Sequence, residues 1–329
     1  MSGEIILTPL ARTSPTLWSH MRLCGLRGAF ASSRAADRWV LHDPRAWLGT
    51  AFHKVMEASR RPSATAATPE ETWTAAVRVA ADAAAHHLLD ARFAAPERWP
   101  GYFLVRQRAL ASAQHAIAAN VDGARPSAAH QQGASATECS LQARRGRLVG
   151  RPDRFDGRIL TEYKSSMPDP AWHGAEAVRE GFRRQLRLYA AIIAEATGRW
   201  PAQGRVVAAS GQTMDVPLVP TACDEEASAA LAALDDLDLG LAASAAPETL
   251  ARPGEDCCGG CPFQALCPAF WPWLQAAGSS GLPDTAAAAV LDRIEPGQDG
   301  DLYTAYLAVD QPSMPSGIQP LVVVSPVVV

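Results

Sequence analysis

The sequence predicts an α/β fold in which a mixed central sheet is flanked by helices. Three observations indicate this class. Apolar residues recur at helical spacing through much of the first third of the chain, and strand-like patterns replace that spacing between residues 138 and 165. A long helical stretch at 174–197 then leads to two further short strands, at 205–209 and 213–219.

The composition is that of a globular protein with a substantial core. The chain has 329 residues, 48% of them hydrophobic, and a net charge of −4, which excludes disordered, collagen-like and coiled-coil classes. The near-neutral charge also excludes a general polycation, so any nucleic acid must bind in a local groove. The sequence has no run of 18 apolar residues and no signal-peptide pattern, so we expect a cytoplasmic protein without a membrane partner.

The helical first part begins at Ser14, whose capping side chain and following Pro15 predict a helix through Cys24. Apolar spacing and composition predict the elements that follow it, namely helices at 45–60, 70–91 and 99–121 and a loop at 123–136. Toward the C-terminus the same patterns predict a helix at 223–243 and three β-like runs at 289–294, 302–309 and 321–329.

The most informative segment is a hairpin predicted by Asp156-Gly157. If these two residues form the loop, Asp153 pairs with Leu160. Residues two apart on a strand share a face, so Asp153, Glu162 and Lys164 are expected to project together. The alternative is a solvent-exposed hairpin whose charged residues have no catalytic role.

These three residue types suit metal-assisted hydrolysis of a phosphodiester. Two convergent carboxylates share a hard divalent cation such as Mg²⁺ or Mn²⁺. The lysine orients or deprotonates an attacking water, or neutralises developing phosphate charge.

Four short patterns in order resemble the PD-(D/E)xK nuclease superfamily, and more narrowly its RecB-like branch. The patterns are Gly49-Thr-Ala-Phe-His53, Gly150-Arg-Pro-Asp153, Glu162-Tyr-Lys164 and Gln185-Leu-Arg-Leu-Tyr189. The resemblance implies a restriction-endonuclease-like core and a nuclease activity toward DNA that is single-stranded or has free ends.

The same resemblance implies a role for each matched residue. The catalytic set is Asp153, Glu162, Lys164 and His53, and the metal is held by His53, Asp153, Glu162 and the backbone carbonyl of Tyr163. The expected DNA contacts are Gln185, Tyr189, Arg184 and Arg187. For single residues of this kind, ordinary packing or a solvated charged helix face is the alternative reading.

A cluster of cysteines near the C-terminus forms the pattern C-x2-C-x5-C at Cys258, Cys261 and Cys267. Such loops allow several thiolates to coordinate one metal ion or cluster. The setting of Cys24 resembles the N-terminal cysteine of iron–sulfur nucleases, namely the AddB-like helicase–nuclease subunits and the CRISPR-adaptation nucleases. That resemblance implies that these four cysteines hold a [4Fe–4S] cluster. The cluster is expected to link the two ends of the domain. Zinc, free core thiols and a swap of Cys257 for Cys258 stay open.

We therefore expect a nuclease domain over residues 1–277, with a helical insertion at about 60–132, and a β-rich tail over 278–329 that forms part of an OB-like barrel. The resemblance implies a role in DNA repair, recombination or anti-phage defence, with a helicase or defence-system partner. A catalytically silent DNA-binding subunit and a zinc-stabilised interaction protein are the alternatives.

Overall fold

The computed structural model describes residues 5–37, 40, 42–59, 67–87, 90, 93–122, 139–172, 174–243, 246–277, 290–296, 303–308 and 322–324. The chain divides into two units. The first comprises Met1–Arg252 with Cys261–Cys267, and the second comprises Pro253–Gly260 with Pro268–Val329. None of the helices in the described ranges has the length and apolar character needed to cross a bilayer.

The described part of the first unit contains seven α-helices. They are α1 (Pro15–Leu23), α2 (Gly25–Ser32), α3 (Pro44–Ala58), α4 (Pro69–Ala85), α5 (Tyr102–Asp122), α6 (Ala175–Thr197) and α7 (Pro220–Ala242). The predicted cap at Ser14 is confirmed, because its hydroxyl oxygen accepts from the Leu17 backbone N–H at 3.2 Å. The prediction of one helix through Cys24 is wrong: Cys24 has extended backbone angles, which end α1 and begin α2. The predicted loop at 123–136 lies outside the described residues.

The strands of the first unit form two sheets. The bounds are β1 (Leu141–Ala143), β2 (Leu148–Gly150), β3 (Arg154–Phe155), β4 (Ile159–Lys164), β5 (Gln203–Ala208) and β6 (Thr213–Pro217). The central sheet has the order β3-β4-β5-β6, with β4 and β5 parallel and the other pairs antiparallel. This mixed sheet with its flanking helices confirms the predicted fold class.

The predicted hairpin exists, but its register is wrong by two residues. Phe155 pairs with Leu160, and this register leaves Gly157 and Arg158 as the loop. Gly157 has a φ of +90°, which suits the first loop position of a type II′ turn, and the Asp156 carboxylate accepts from the Ile159 backbone N–H at 2.8 Å. A shift of two residues leaves the side chains of β4 on the faces that the sequence predicts. Asp153 lies just before β3, so its side chain is placed by its own contacts and not by strand alternation.

Two apolar layers cover the central strand β4 on its opposite faces. Leu160 belongs to the layer that includes Leu186 of α6, whereas Tyr163 belongs to the layer that includes Phe52 of α3. A strand buried on both sides is typical of the centre of an α/β sheet. The strand therefore presents Glu162 and Lys164 toward α6 and the Tyr163 ring toward α3.

The second unit contains α8 (Glu255–Cys258), α9 (Phe270–Ala277) and an antiparallel sheet of β7 (Val290–Pro296), β8 (Tyr303–Ala308) and β9 (Val322–Val324). The three β-like runs of the sequence thus form strands in the order β7-β8-β9. The domain boundary at 277 and 278 and the OB-like barrel stay predictions.

Candidate active site

The two acidic residues and the lysine of the hairpin lie together where β3 and β4 meet. Lys164 Nζ donates to Glu162 Oε1 at 2.9 Å. The Asp153 carboxylate accepts from the backbone N–H of Tyr163, between the other two, at 2.7 Å. The alternation of β4 thus brings Glu162 and Lys164 together, and the hydrogen bond to Tyr163 holds Asp153 beside them.

Asp153 is fixed from two sides. Its Oδ2 accepts from the Tyr163 backbone N–H, and its Oδ1 lies 3.0 Å from Nδ1 of His53 on α3. Burial alone lowers the pKa of His53, but the hydrogen bond and the charge of Asp153 outweigh burial and raise that pKa overall. The structure thus brings His53, which the family resemblance predicted, into contact with Asp153.

Glu162 is the most deeply buried acid of this group, with 3% of its surface exposed. Burial raises the pKa of its carboxyl group to about 7, against the opposing charge of Lys164. Its Oε2 has no hydrogen-bond partner among the described residues. An ionised carboxylate with one uncommitted buried oxygen calls for a cation, so this donor set fits a hard divalent ion.

Gln185 on α6 joins the lysine to the glutamate. Its Oε1 accepts from Lys164 Nζ at 2.8 Å, and its Nε2 donates to Glu162 Oε1 at 2.8 Å. The Lys164 ammonium also lies 5.2 Å from the centre of the Phe182 ring. These contacts make Gln185 a positioning residue for the lysine and the acid, a role that the sequence did not indicate. Its predicted contact with DNA stays a prediction.

Tyr189 supports the chain just before Asp153. Its hydroxyl donates to the Arg151 carbonyl at 3.2 Å, and its ring lies so close to Gly150 that an added Cβ there would sit 2.9 Å from a ring carbon. The close packing of the chain on α6 therefore requires a glycine at position 150. Tyr189 itself is 7% exposed, so the structure gives it a packing role, and its contact with DNA stays a prediction.

Arg184 and Arg187 are paired with carboxylates of the same unit. Arg184 contacts Glu226 at 3.2 Å, and Arg187 contacts Glu180 at 3.1 Å. The structure does not join either side chain to the Asp153, Glu162 and Lys164 group. Any phosphate that binds them competes with these ion pairs.

Three of the four predicted cluster ligands gather in the first unit. Cys24 is part of a small buried cluster with Phe263, against which Cys261 and Cys267 pack. Burial raises the pKa of Cys261 to about 11, and the nearby Cys267 and Cys24 sulfurs act in the same direction. The fourth ligand, Cys258, belongs to the second unit. All seven cysteines are free of disulfides.

A second group of donor atoms was not singled out by the sequence. Among the described residues, His42, His87 and Asp90 bring three nitrogen and oxygen donors within 4.8 Å of one another. The only local signal is the three-residue spacing between His87 and Asp90, because His42 joins them through the tertiary fold.

Two acidic side chains and a lysine that lie together on a mixed sheet suit metal-assisted hydrolysis of a phosphodiester. The family model of the PD-(D/E)XK nuclease superfamily matches residues 11–268, and the chain belongs to this superfamily. Members of this superfamily generally use Mg²⁺ or Mn²⁺. No curated protein sequence gives a significant match to the chain.

Proposed function

We propose that the chain is a Mg²⁺- or Mn²⁺-dependent deoxyribonuclease of the RecB-like branch, stapled by an iron–sulfur cluster and acting in DNA repair, recombination or anti-phage defence. The observation that carries the proposal is the convergence of Asp153, Glu162 and Lys164, two of which Gln185 ties together. The same convergence argues against a catalytically silent subunit, which has no need of an intact set.

The residues that would hold the ion are Asp153, Glu162, His53 and the Tyr163 carbonyl. When bound, a divalent cation polarises the phosphodiester and lowers the pKa of water. Asp153 is already fixed by the Tyr163 backbone, so its carboxylate is positioned before any ligand arrives.

Lys164 is the residue that we expect to act on water or on the scissile phosphate. An ammonium carries three donors, and Glu162 and Gln185 accept two of them. The third donor has no hydrogen-bond acceptor among the described residues, and the other neighbour of the ammonium is the Phe182 ring, 5.2 Å away. It is therefore available to orient the attacking water or to neutralise charge that develops on the phosphate.

The experiment is digestion of labelled single- and double-stranded DNA, with open or blocked ends, in Mg²⁺ or Mn²⁺. We expect Asp153→Ala and Lys164→Ala to lower the cleavage rate by about 10²–10⁴-fold without loss of fold, as measured by circular dichroism. His86→Ala is the matched control, because His86 is exposed and bonds the Asp82 carbonyl of its own helix. Cleavage by Lys164→Ala at the wild-type rate would refute the proposal.

The cluster is tested separately from cleavage. We expect protein purified without oxygen to be brown, with visible absorption and acid-labile sulfide, and we expect Cys24→Ala and Cys267→Ala to lose both. Cys139→Ser is the matched control, because Cys139 is exposed and lies outside the predicted set. Colourless protein with stoichiometric zinc would replace the iron–sulfur proposal with the zinc alternative.

A further inference from the structure

We propose that His42, His87 and Asp90 form a second metal site, which takes a divalent transition-metal ion such as Zn²⁺. The site is separate from the Asp153, Glu162 and Lys164 group and from the cysteines. It would fasten the segment before α3 to the segment after α4.

The central observation is that two imidazole rings converge on one buried carboxylate oxygen. His42 Nδ1 lies 2.5 Å and His87 Nδ1 lies 2.9 Å from the same Asp90 Oδ2. Asp90 is only 1% exposed, whereas acidic side chains are almost never fully buried unless they are paired or bind a metal.

The tautomer of His87 favours a cation between the ring and the carboxylate. Its other nitrogen, Nε2, lies 2.9 Å from the Asp37 carbonyl, and a carbonyl only accepts, so Nε2 carries the hydrogen. In the neutral ring Nδ1 then presents a lone pair to Asp90 Oδ2. Two acceptors at this distance require a positive species between them, which is either a proton or a metal ion.

The same hydrogen bond is the one that metal-binding histidines make. A ligating histidine almost always donates its second ring N–H to a carbonyl or a carboxylate, which fixes the ring and the tautomer. His87 already has this arrangement through Asp37. Two imidazoles and one carboxylate suit Zn²⁺ and its neighbours in the transition series, with the fourth position left for water.

The surroundings hold the site in place. The His42 ring packs 5.6 Å from the Trp47 ring, which in turn contacts Phe93 and Trp99. A tetrahedral ion with bonds of about 2.0–2.1 Å keeps its donor atoms roughly 3.3 Å apart. The three donors, which lie within 4.8 Å of one another, need to move by about an ångström or less to reach that spacing.

The test is the number of Zn²⁺ ions bound per chain, measured by native mass spectrometry after dialysis against a chelator and addition of Zn²⁺. We expect the wild type and the matched control His86→Ala to bind one more ion than His87→Ala and His42→Ala. Ions on the cysteines or on Asp153 and Glu162 contribute equally to all four proteins, so the difference isolates this site.

A second measurement covers the case in which His87→Ala does not fold. His42 lies before the first turn of α3 and is the more exposed of the two histidines, so His42→Gln perturbs the fold least. We expect Zn²⁺ to raise the melting temperature of the wild type and of His86→Ala by several degrees more than that of His42→Gln. Equal ion numbers and equal shifts in all variants would overturn the proposal and leave the cluster as a hydrogen-bonded set.

Discussion

The group around Glu162 and the group around Asp90 in the first unit are each built on a buried carboxylate, and they differ in what accompanies it. Glu162 is held by an amine and an amide on one oxygen, and its second oxygen has no hydrogen-bond partner in the described part of the chain. Asp90 is held by two imidazole rings that reach the same oxygen. The first group leaves one carboxylate oxygen without a hydrogen bond among the described residues, whereas the second brings one nitrogen of each ring to the same oxygen.

This difference suits the group around Glu162 to catalysis and the group around Asp90 to holding two segments of the chain together. A cation beside Glu162 leaves the Lys164 ammonium available for water and phosphate. A cation beside Asp90 takes one nitrogen from each ring and joins the segment before α3 to the segment after α4.

The largest expected effect is on cleavage by Glu162→Gln. The amide keeps the shape of the side chain but removes the charge that a divalent ion requires, so we expect the rate to fall by at least about 10³-fold, or ~4 kcal/mol of barrier. Single-turnover cleavage of labelled DNA measures this, with His86→Ala as the control. A rate within tenfold of the wild type would contradict the role of Glu162.

The same substitution is expected to stabilise the fold in metal-free buffer. The pKa of Glu162 rises on folding from 4.5 to about 7, so its stability contribution is lost as pH rises through that window. Glu162→Gln should therefore gain about 1–3 kcal/mol over the wild type at pH 8 and little at pH 5. Urea unfolding at both pH values measures the difference.

We expect Asp90→Asn to change the unfolding free energy in the opposite direction to Glu162→Gln. It removes the charge that two histidines approach, so we expect a loss of about 1–3 kcal/mol at pH 8. If both substitutions change stability in the same direction, the contrast between the two groups does not hold.

A smaller effect is expected for Gln185→Ala. Without the amide, Lys164 and Glu162 lose their common partner, and we expect kcat to fall by about tenfold, or ~1.4 kcal/mol, while KM for DNA stays the same. Steady-state kinetics separate the two constants. A rise in KM at constant kcat would instead support the direct DNA contact predicted from the sequence.

The smallest effect is expected for Tyr189→Phe. This change removes only the hydroxyl that bonds the Arg151 carbonyl, so we expect a loss of about 1 kcal/mol in unfolding free energy. Urea denaturation measures it, and Gly150→Ala should cost more, because its added carbon meets the Tyr189 ring. If Gly150→Ala costs less unfolding free energy than Tyr189→Phe, the Tyr189 ring moves aside easily to accommodate the added carbon.

The sequence predicted that Glu162 and Lys164 share a face because strand alternation depends only on even or odd spacing, whereas Asp153 joins them through its hydrogen bond to the Tyr163 backbone. It did not predict the register, because Asp156-Gly157 and Gly157-Arg158 are both plausible loops and only the folded turn distinguishes them. The face assignment survived because the error was an even number of residues.

The partners of side chains were harder to predict than their positions. Gln185 was placed on the correct helix, but its contacts with Lys164 depend on how α6 packs on the sheet. His42 and Asp90 are 48 residues apart and share no local pattern. Their meeting is a property of the tertiary fold, so a pattern of neighbouring residues contains no signal for it.

The burial of β4 on both faces has a consequence for how this chain can evolve. An insertion or deletion of one residue within Ile159–Lys164 would exchange the two faces of the strand, sending the carboxylate and the amine toward Phe52 and the Tyr163 ring toward Gln185. Length changes in this strand are therefore tolerated only in pairs.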